Sequence, residues 1–121
     1  MDKQFTMLKG KEIIVGITGG IAAYKTAELV RELTKKGANT HVVMTKNAME
    51  FVTPLTFQTI SGNPVIHEMF ELFRGSKIGH IALSDIADQM VIVPATANII
   101  GKIANGIADD FLTTMAMATT V

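Results

Sequence analysis

The chain has 121 residues, one domain's worth, and 48% of them are hydrophobic, enough for a core. Eleven basic residues cancel eleven acidic ones, which leaves no electrostatic footprint for nucleic acid or an anionic membrane. There is no cysteine, which excludes a disulfide framework and a cysteine-ligated metal and fits a cytoplasmic setting.

Residues 1–10 read as a flexible extension ahead of the first element. The apolar stretch that follows is short and broken by glycine, so neither a signal peptide nor a membrane span is expected. "EIIVGIT" (12–18) is a β-branched run suited to a strand buried on both faces. Over 21–37 the period changes. Ala22, Leu29, Val30 and Leu33 fall near helical spacing, Lys35 and Lys36 sit in the last turn, and Gly37 follows as a stop. "NTHVVMT" (39–45) is a second strand. "NAMEFV" begins a helix that Pro54 interrupts or restarts, and Gly62-Asn63-Pro64 closes it. "VIHEMF" (65–70) is a weak third strand or extended segment, 71–80 loop-like, and "IALSDIAD" (81–88) a short helix. "QMVIVPA" (89–95) is a clear strand. "NIIGKIANGIA" and "DDFLTTMAMA" are two helical pieces meeting near Asp109.

Strands alternating with helices at this spacing imply a parallel sheet with right-handed crossovers, a single doubly wound α/β unit over 1–121. Ligands in such sheets bind beyond the C-terminal strand ends, which singles out three loops. After the first strand, "GITGGIAAYKT" (16–26) fails as a Walker A loop, because Tyr24 precedes Lys25. It also fails as a dinucleotide fingerprint, because Thr18 and Ile21 stand where glycines are required. What survives is a Thr18-Gly19-Gly20 turn between a strand and a helix N-terminus. It is either a phosphate cradle or a bare tight turn. After the second strand, Thr45 could meet a phosphate or sugar, or cap a helix; Phe51 reads first as core. After the third, Thr96, Ala97 and Asn98 are small or polar, fit to approach a flat ligand or, for Thr96 and Asn98, to cap the next helix. Gly101 and Gly106 read as two glycines in one helical stretch, each costing roughly 1 kcal/mol against alanine, and point to close approach by a ligand or another chain. His80 is a candidate proton carrier or a structural histidine; His41 and His67 read as structural. Asp109-Asp110 is a weak metal signal and a better helix cap, so no metal site is expected.

Together "GITGGIAAYK" (16–25), "VVMTKNAMEFV" (42–52), "GHIALSDIAD" (79–88) and "PATANIIGKIANGIADD" (94–110) resemble the homo-oligomeric flavin-containing cysteine decarboxylases. They come in that family's order and cover most of the chain from residue 12 onward. The "GHI…AD" context favours the phosphopantothenoylcysteine-decarboxylating branch of coenzyme A biosynthesis. The resemblance implies a Rossmann-like or flavodoxin-like parallel sheet with helices on both faces. It implies FMN as cofactor, with Thr18, Gly19 and Gly20 on its phosphate side, Thr45 and Phe51 lining its pocket, and Thr96, Ala97 and Asn98 near flavin or substrate. It implies His80 as the active-site histidine. The implied reaction is oxidation of the phosphopantothenoylcysteine thiol to a thioaldehyde, loss of carbon dioxide, and return of the electrons to leave 4′-phosphopantetheine. Homotrimers, or a dodecamer built of trimers, are implied as the assembly. The family continues with an Asn-bearing segment and a cysteine-containing flap that this sequence does not contain, so the chain reads as a fragment whose sheet is incomplete at its C-terminal end. The strand at 89–95 is then expected at a sheet edge. A non-catalytic flavin-binding subunit, a related peptidyl-cysteine decarboxylase and a plain nucleotide-binding domain are the alternatives.

Overall fold

The computed structural model describes residues 7–67 and 80–121, and for 80–82 the backbone alone. Strand β1 (Glu12–Ile17) is the centre of a three-stranded parallel sheet, flanked by β2 (Asn39–Met44) and β3 (Gln89–Ile92). Ile13 through Ile17 are all buried, as expected of a parallel strand covered on both faces. Ile13, Val15 and Ile17 join Val30, Val42, Met44 and Phe57 in one cluster, while Ile14 joins Val43, Leu83, Leu112 and Met115 in another. Alternate side chains of one strand thus feed two cores, one on each face, and the expected flavodoxin-like α/β layering is borne out. Gly16 is a packing requirement of the second core: a Cβ there would stand 2.5 Å from Cδ1 of Leu112.

Helix α1 (Ala23–Lys35) buries Ala23, Thr26 and Val30. Its inner face is therefore offset from the stripe expected from sequence, with Ala22 exposed and Leu29 half-buried. Thr26 can hold the central position because its hydroxyl donates to the Val93 carbonyl at 3.0 Å. The helix ends in a Schellman motif: Ala38 N–H donates to Leu33 O and Gly37 N–H to Thr34 O, with Gly37 at φ 97°. Part of the expected N-terminal extension is tied down here, since Leu8 N–H donates to Lys36 O at 2.8 Å and Leu8 packs on the first core.

After β2 comes a 3₁₀ turn (Ala48–Glu50) and then α2 (Pro54–Ser61), with Pro54 in its first turn, so the proline restarts the helix as expected. The weak strand expected at 65–70 is only a single bridge between Ile66 and Val43; residues 68–70 and the loop up to 79 lie outside the described residues. Helix α3 (His80–Ile86) leads into β3, which stands at a sheet edge among the described residues, with Met90, Val91 and Ile92 half-buried. Two short helices follow, α4 (Ala97–Ala104) and α5 (Phe111–Ala118). Among the described residues no helix is long and apolar enough to cross a membrane.

Candidate functional site

The chain passes from β2 on one flank of β1 to β3 on the other. Strand order therefore switches beside β1, and the crevice past the C-terminal strand ends at such a switch is where open α/β sheets bind ligands. A cavity of about 270 Å³ lies there. Thr18 and Gly19 from the loop after β1 line it, with Thr45, Lys46 and Asn47 from the loop after β2. Thr96, Asn98, Ile99 and Lys102 from the start of α4, and Asp110, complete the lining. The three loops singled out from sequence thus converge on one site.

Three threonines in this lining have different hydrogen-bonding positions. Thr18 is 2% exposed; its hydroxyl donates to the Pro94 carbonyl and accepts from Thr96 N–H at 3.1 Å. A hydroxyl has one proton to give, so Thr18 has none left for a phosphate. Thr45 instead accepts from Ala48 N–H at 3.2 Å, and Thr96 accepts from Ile99 N–H at 3.3 Å. Neither of these hydroxyls has an acceptor for its own proton among the described residues, so both can donate to a ligand.

Gly19 lies flush against the neighbouring loop: a Cβ there would be 2.5 Å from Asn47 Cβ and 3.0 Å from its carbonyl carbon. Gly20 would meet Pro94 Cγ at 3.3 Å. These glycines are first of all what lets the loops after β1, β2 and β3 close on one another. The peptide between Val93 and Pro94 is cis. Thr96 caps α4, in the position sequence allowed to either Thr96 or Asn98; Asn98 lies in the first turn, exposed on the cavity wall. Ala97 is exposed beside it, and Phe51, 50% exposed at the end of the 3₁₀ turn, stands outside the lining, as do Gly20 and Ala97.

Gly106 is not inside a helix. It has φ 70° and forms a Schellman stop for α4, with Ile107 N–H donating to Lys102 O and Gly106 N–H to Ile103 O. Its glycine needs no approaching ligand. Gly101 is inside α4, and among the described residues no atom outside the helix's own backbone lies within 4 Å of where its Cβ would be. Asp110 is a cap, as expected: its carboxylate accepts from Thr113 N–H at 2.8 Å while Thr113 Oγ1 accepts from Asp110 N–H at 3.1 Å. Asp109 pairs with Lys102 at 3.1 Å.

Sequence reasoning missed Lys46, Asn47, Ile99 and Lys102 as lining residues. Lys46 and Asn47 were findable as the direct neighbours of Thr45, and Lys102 as one helical turn beyond Asn98. His80 opens α3, and its side chain lies outside the described residues. Past the end of α3, Asp88 N–H donates to Glu12 O at the start of β1, at 2.7 Å. His41 sits at the opposite edge, 3.5 Å from Glu12.

The flavoprotein family matches residues 1–121. The chain belongs to that family. The coenzyme A biosynthesis bifunctional protein CoaBC of Vibrio parahaemolyticus is 49% identical to this flavoprotein over 112 residues, 93% of this chain and 28% of that protein. The chain therefore spans under a third of the length of the curated relatives it matches. The structure of the FMN-dependent cysteine decarboxylase SpaF aligns at TM-score 0.82 and 31% identity, over 93% of this chain and 65% of that one. A PPC decarboxylase solved with pantothenoylaminoethenethiol aligns at TM-score 0.75 and 29% identity, over 91% and 61%. The resemblance to the flavin-containing cysteine decarboxylases is borne out.

Proposed function

We propose that the cavity holds FMN, and that this chain is the flavin-binding part of an enzyme that decarboxylates phosphopantothenoylcysteine to 4′-phosphopantetheine in coenzyme A biosynthesis. The observation that carries the reading is the convergence of three strand-end loops on one cavity with two unspent hydroxyl donors, in a chain whose full length matches the flavoprotein family. The names of the similar proteins, CoaBC and a PPC decarboxylase, support the substrate.

The residues present fit the cofactor. Thr45 and Thr96 can each donate to a phosphate or ring acceptor, and the exposed ammonium of Lys46 supplies positive charge beside them. The first amides of α4 add the positive end of a helix dipole. Gly19 lines the cavity without a side chain, and Ala97, exposed beside Asn98, keeps the start of α4 open to a flat ring. The cavity's volume of about 270 Å³ is just under the roughly 300–1,000 Å³ of pockets that enclose drug-sized ligands. FMN would fill it and extend along the rim, where Phe51 is the proposed wall.

When bound, FMN supplies two-electron oxidation at the substrate's thiol-bearing carbon and takes part again in the return of those electrons. Asn98 would orient flavin or substrate through its amide, and His80 would hold or move a proton at its imidazole. The proposed assembly is a homotrimer or a dodecamer of trimers, in the cytoplasm. Gly101 supports it, because α4 carries no side chain there and, among the described residues, no atom outside the helix's own backbone lies within 4 Å of where one would stand.

The test is to titrate FMN into the protein and follow flavin absorbance and fluorescence, and then to supply phosphopantothenoylcysteine to the full-length protein and measure carbon dioxide. Saturable FMN binding with carbon dioxide release supports the reading. No flavin binding overturns the cofactor, and a bound flavin that turns over a peptidyl-cysteine but not phosphopantothenoylcysteine overturns the substrate.

A further inference from the structure

Two helices border the cavity, and each has a hydroxyl or carboxylate cap, but the two caps are built differently. A complete capping box has two parts: the N-cap side chain accepts from the N3 backbone N–H, and the N3 side chain accepts from the N-cap backbone N–H. Helix α5 has both parts locally, from Asp110 and Thr113. Helix α4 has only the first. Thr96 accepts from Ile99 N–H, and Ile99, its N3 residue, carries no acceptor with which to return the bond. The missing acceptor comes from the far side of the site: Thr96 N–H donates to Thr18 Oγ1 at 3.1 Å, across 78 positions of sequence.

We infer that Thr18 is a positioning residue that completes the cap of α4 from the loop after β1 and so fixes the α4 N-terminus against the cavity. Its own proton goes to the Pro94 carbonyl, so one buried hydroxyl serves both strands of the turn that feeds the helix. Thr26 repeats the device one residue earlier, donating to Val93 O at 3.0 Å from a side chain equally buried. The β1–β3 ladder has its last rung at Val93 N–H to Gly16 O. Beyond it one longer backbone bond remains, Thr18 N–H to Pro94 O at 3.4 Å, and these two hydroxyls reinforce it. The consequence is functional: Asn98 and the first amides of α4 face the cavity only while Thr96 is held, so Thr18 acts on a ligand through Thr96 without touching its phosphate.

The ligand arm of the test rests on the flavin reading; the exchange arm does not. In the wild-type protein, hydrogen exchange of the Thr96 amide should be at least about tenfold slower than that of Ala97 and Asn98. Thr18→Val keeps the shape and removes the hydroxyl. It should erase the Thr96 protection, leave the Asp110 amide of α5 unchanged, and weaken FMN binding about tenfold. Thr18→Ser restores the hydroxyl and should recover both the protection and the affinity to within about threefold. A wild-type Thr96 amide that exchanges like its neighbours overturns the inference even if Thr18→Val does not fold. So does a Thr18→Val protein that binds FMN like wild type. If the wild type shows the protection but binds no FMN, the flavin reading falls and the cap across the site stands.

Discussion

Gly19→Ala is the sharpest perturbation of the site's frame. The added Cβ would stand 2.5 Å from Asn47 Cβ, 3.0 Å from its carbonyl carbon and 3.2 Å from its oxygen. Two of these three atoms are backbone, so no rotamer change relieves the clash, and the loop after β2 must move. Overpacking of this kind costs about 1–3 kcal/mol, which lowers Tm by a few degrees per kcal/mol in a domain near this size. The displaced loop carries Thr45, Lys46 and Asn47, three of the ten residues lining the cavity, so FMN affinity should fall with the stability. Chemical denaturation and FMN titration measure the two effects. The partner variant Asn47→Gly removes the nearest of the three atoms. If loop packing is what Gly19 provides, combining the two changes should recover at least about 0.5 kcal/mol relative to the sum of the single variants. A Gly19→Ala protein as stable as wild type would refute the packing argument. A double variant with restored stability but no FMN binding would show that the ligand itself needs the space at Gly19.

The other predictions concern the core, the second cap and the chemistry. Phe57 is fully buried between the sheet and α1, and Phe57→Ala should cost about 3–5 kcal/mol, read as a lower urea midpoint. Asp110→Ala removes the carboxylate half of the α5 capping box and should cost about 0.5–2 kcal/mol, whereas Asp110→Asn should recover most of that in the same denaturation assay. In the full-length protein, His80→Asn should fold and bind FMN like the wild type yet lose carbon dioxide release, and normal turnover by that variant would remove His80 from the proposed mechanism.

Much of the frame was legible because it is periodic or punctuated. The β-branched run at 12–17 could only be a strand covered on both faces, and Pro54 and Gly37 mark a helix start and a helix stop through fixed backbone chemistry. Gly106 was misread because "NIIGKIANGIA" keeps a helical spacing of apolar residues through position 107, while the backbone leaves the helix at Asn105; Ile107 keeps the pattern only as the residue that closes the Schellman motif. The strand or extended segment expected at 65–70 is described only over 65–67. "VIHEMF" has strand composition, but composition sets no partner, and within the described part only Ile66 finds one, on β2.

The site itself was legible as loops and illegible as bonds. Thr18, Thr45 and Thr96 each stand one to four residues past a parallel strand, and as letters they are equivalent phosphate donors. What separates them is where each hydroxyl's single proton goes, and that depends on contacts across as many as 76 positions, such as Thr18 to Pro94. Thr18 has the sequence context most like a phosphate loop and is the one with its proton already committed to protein. Thr45 and Thr96 are equally well explained as local caps, and each cap uses only a lone pair, so the proton stays available. The structural and the functional readings of a threonine therefore do not compete at these two positions, since capping consumes an acceptor and ligand binding a donor. They do compete at Thr18, where the same hydroxyl cannot hold Pro94 and donate to a phosphate at once.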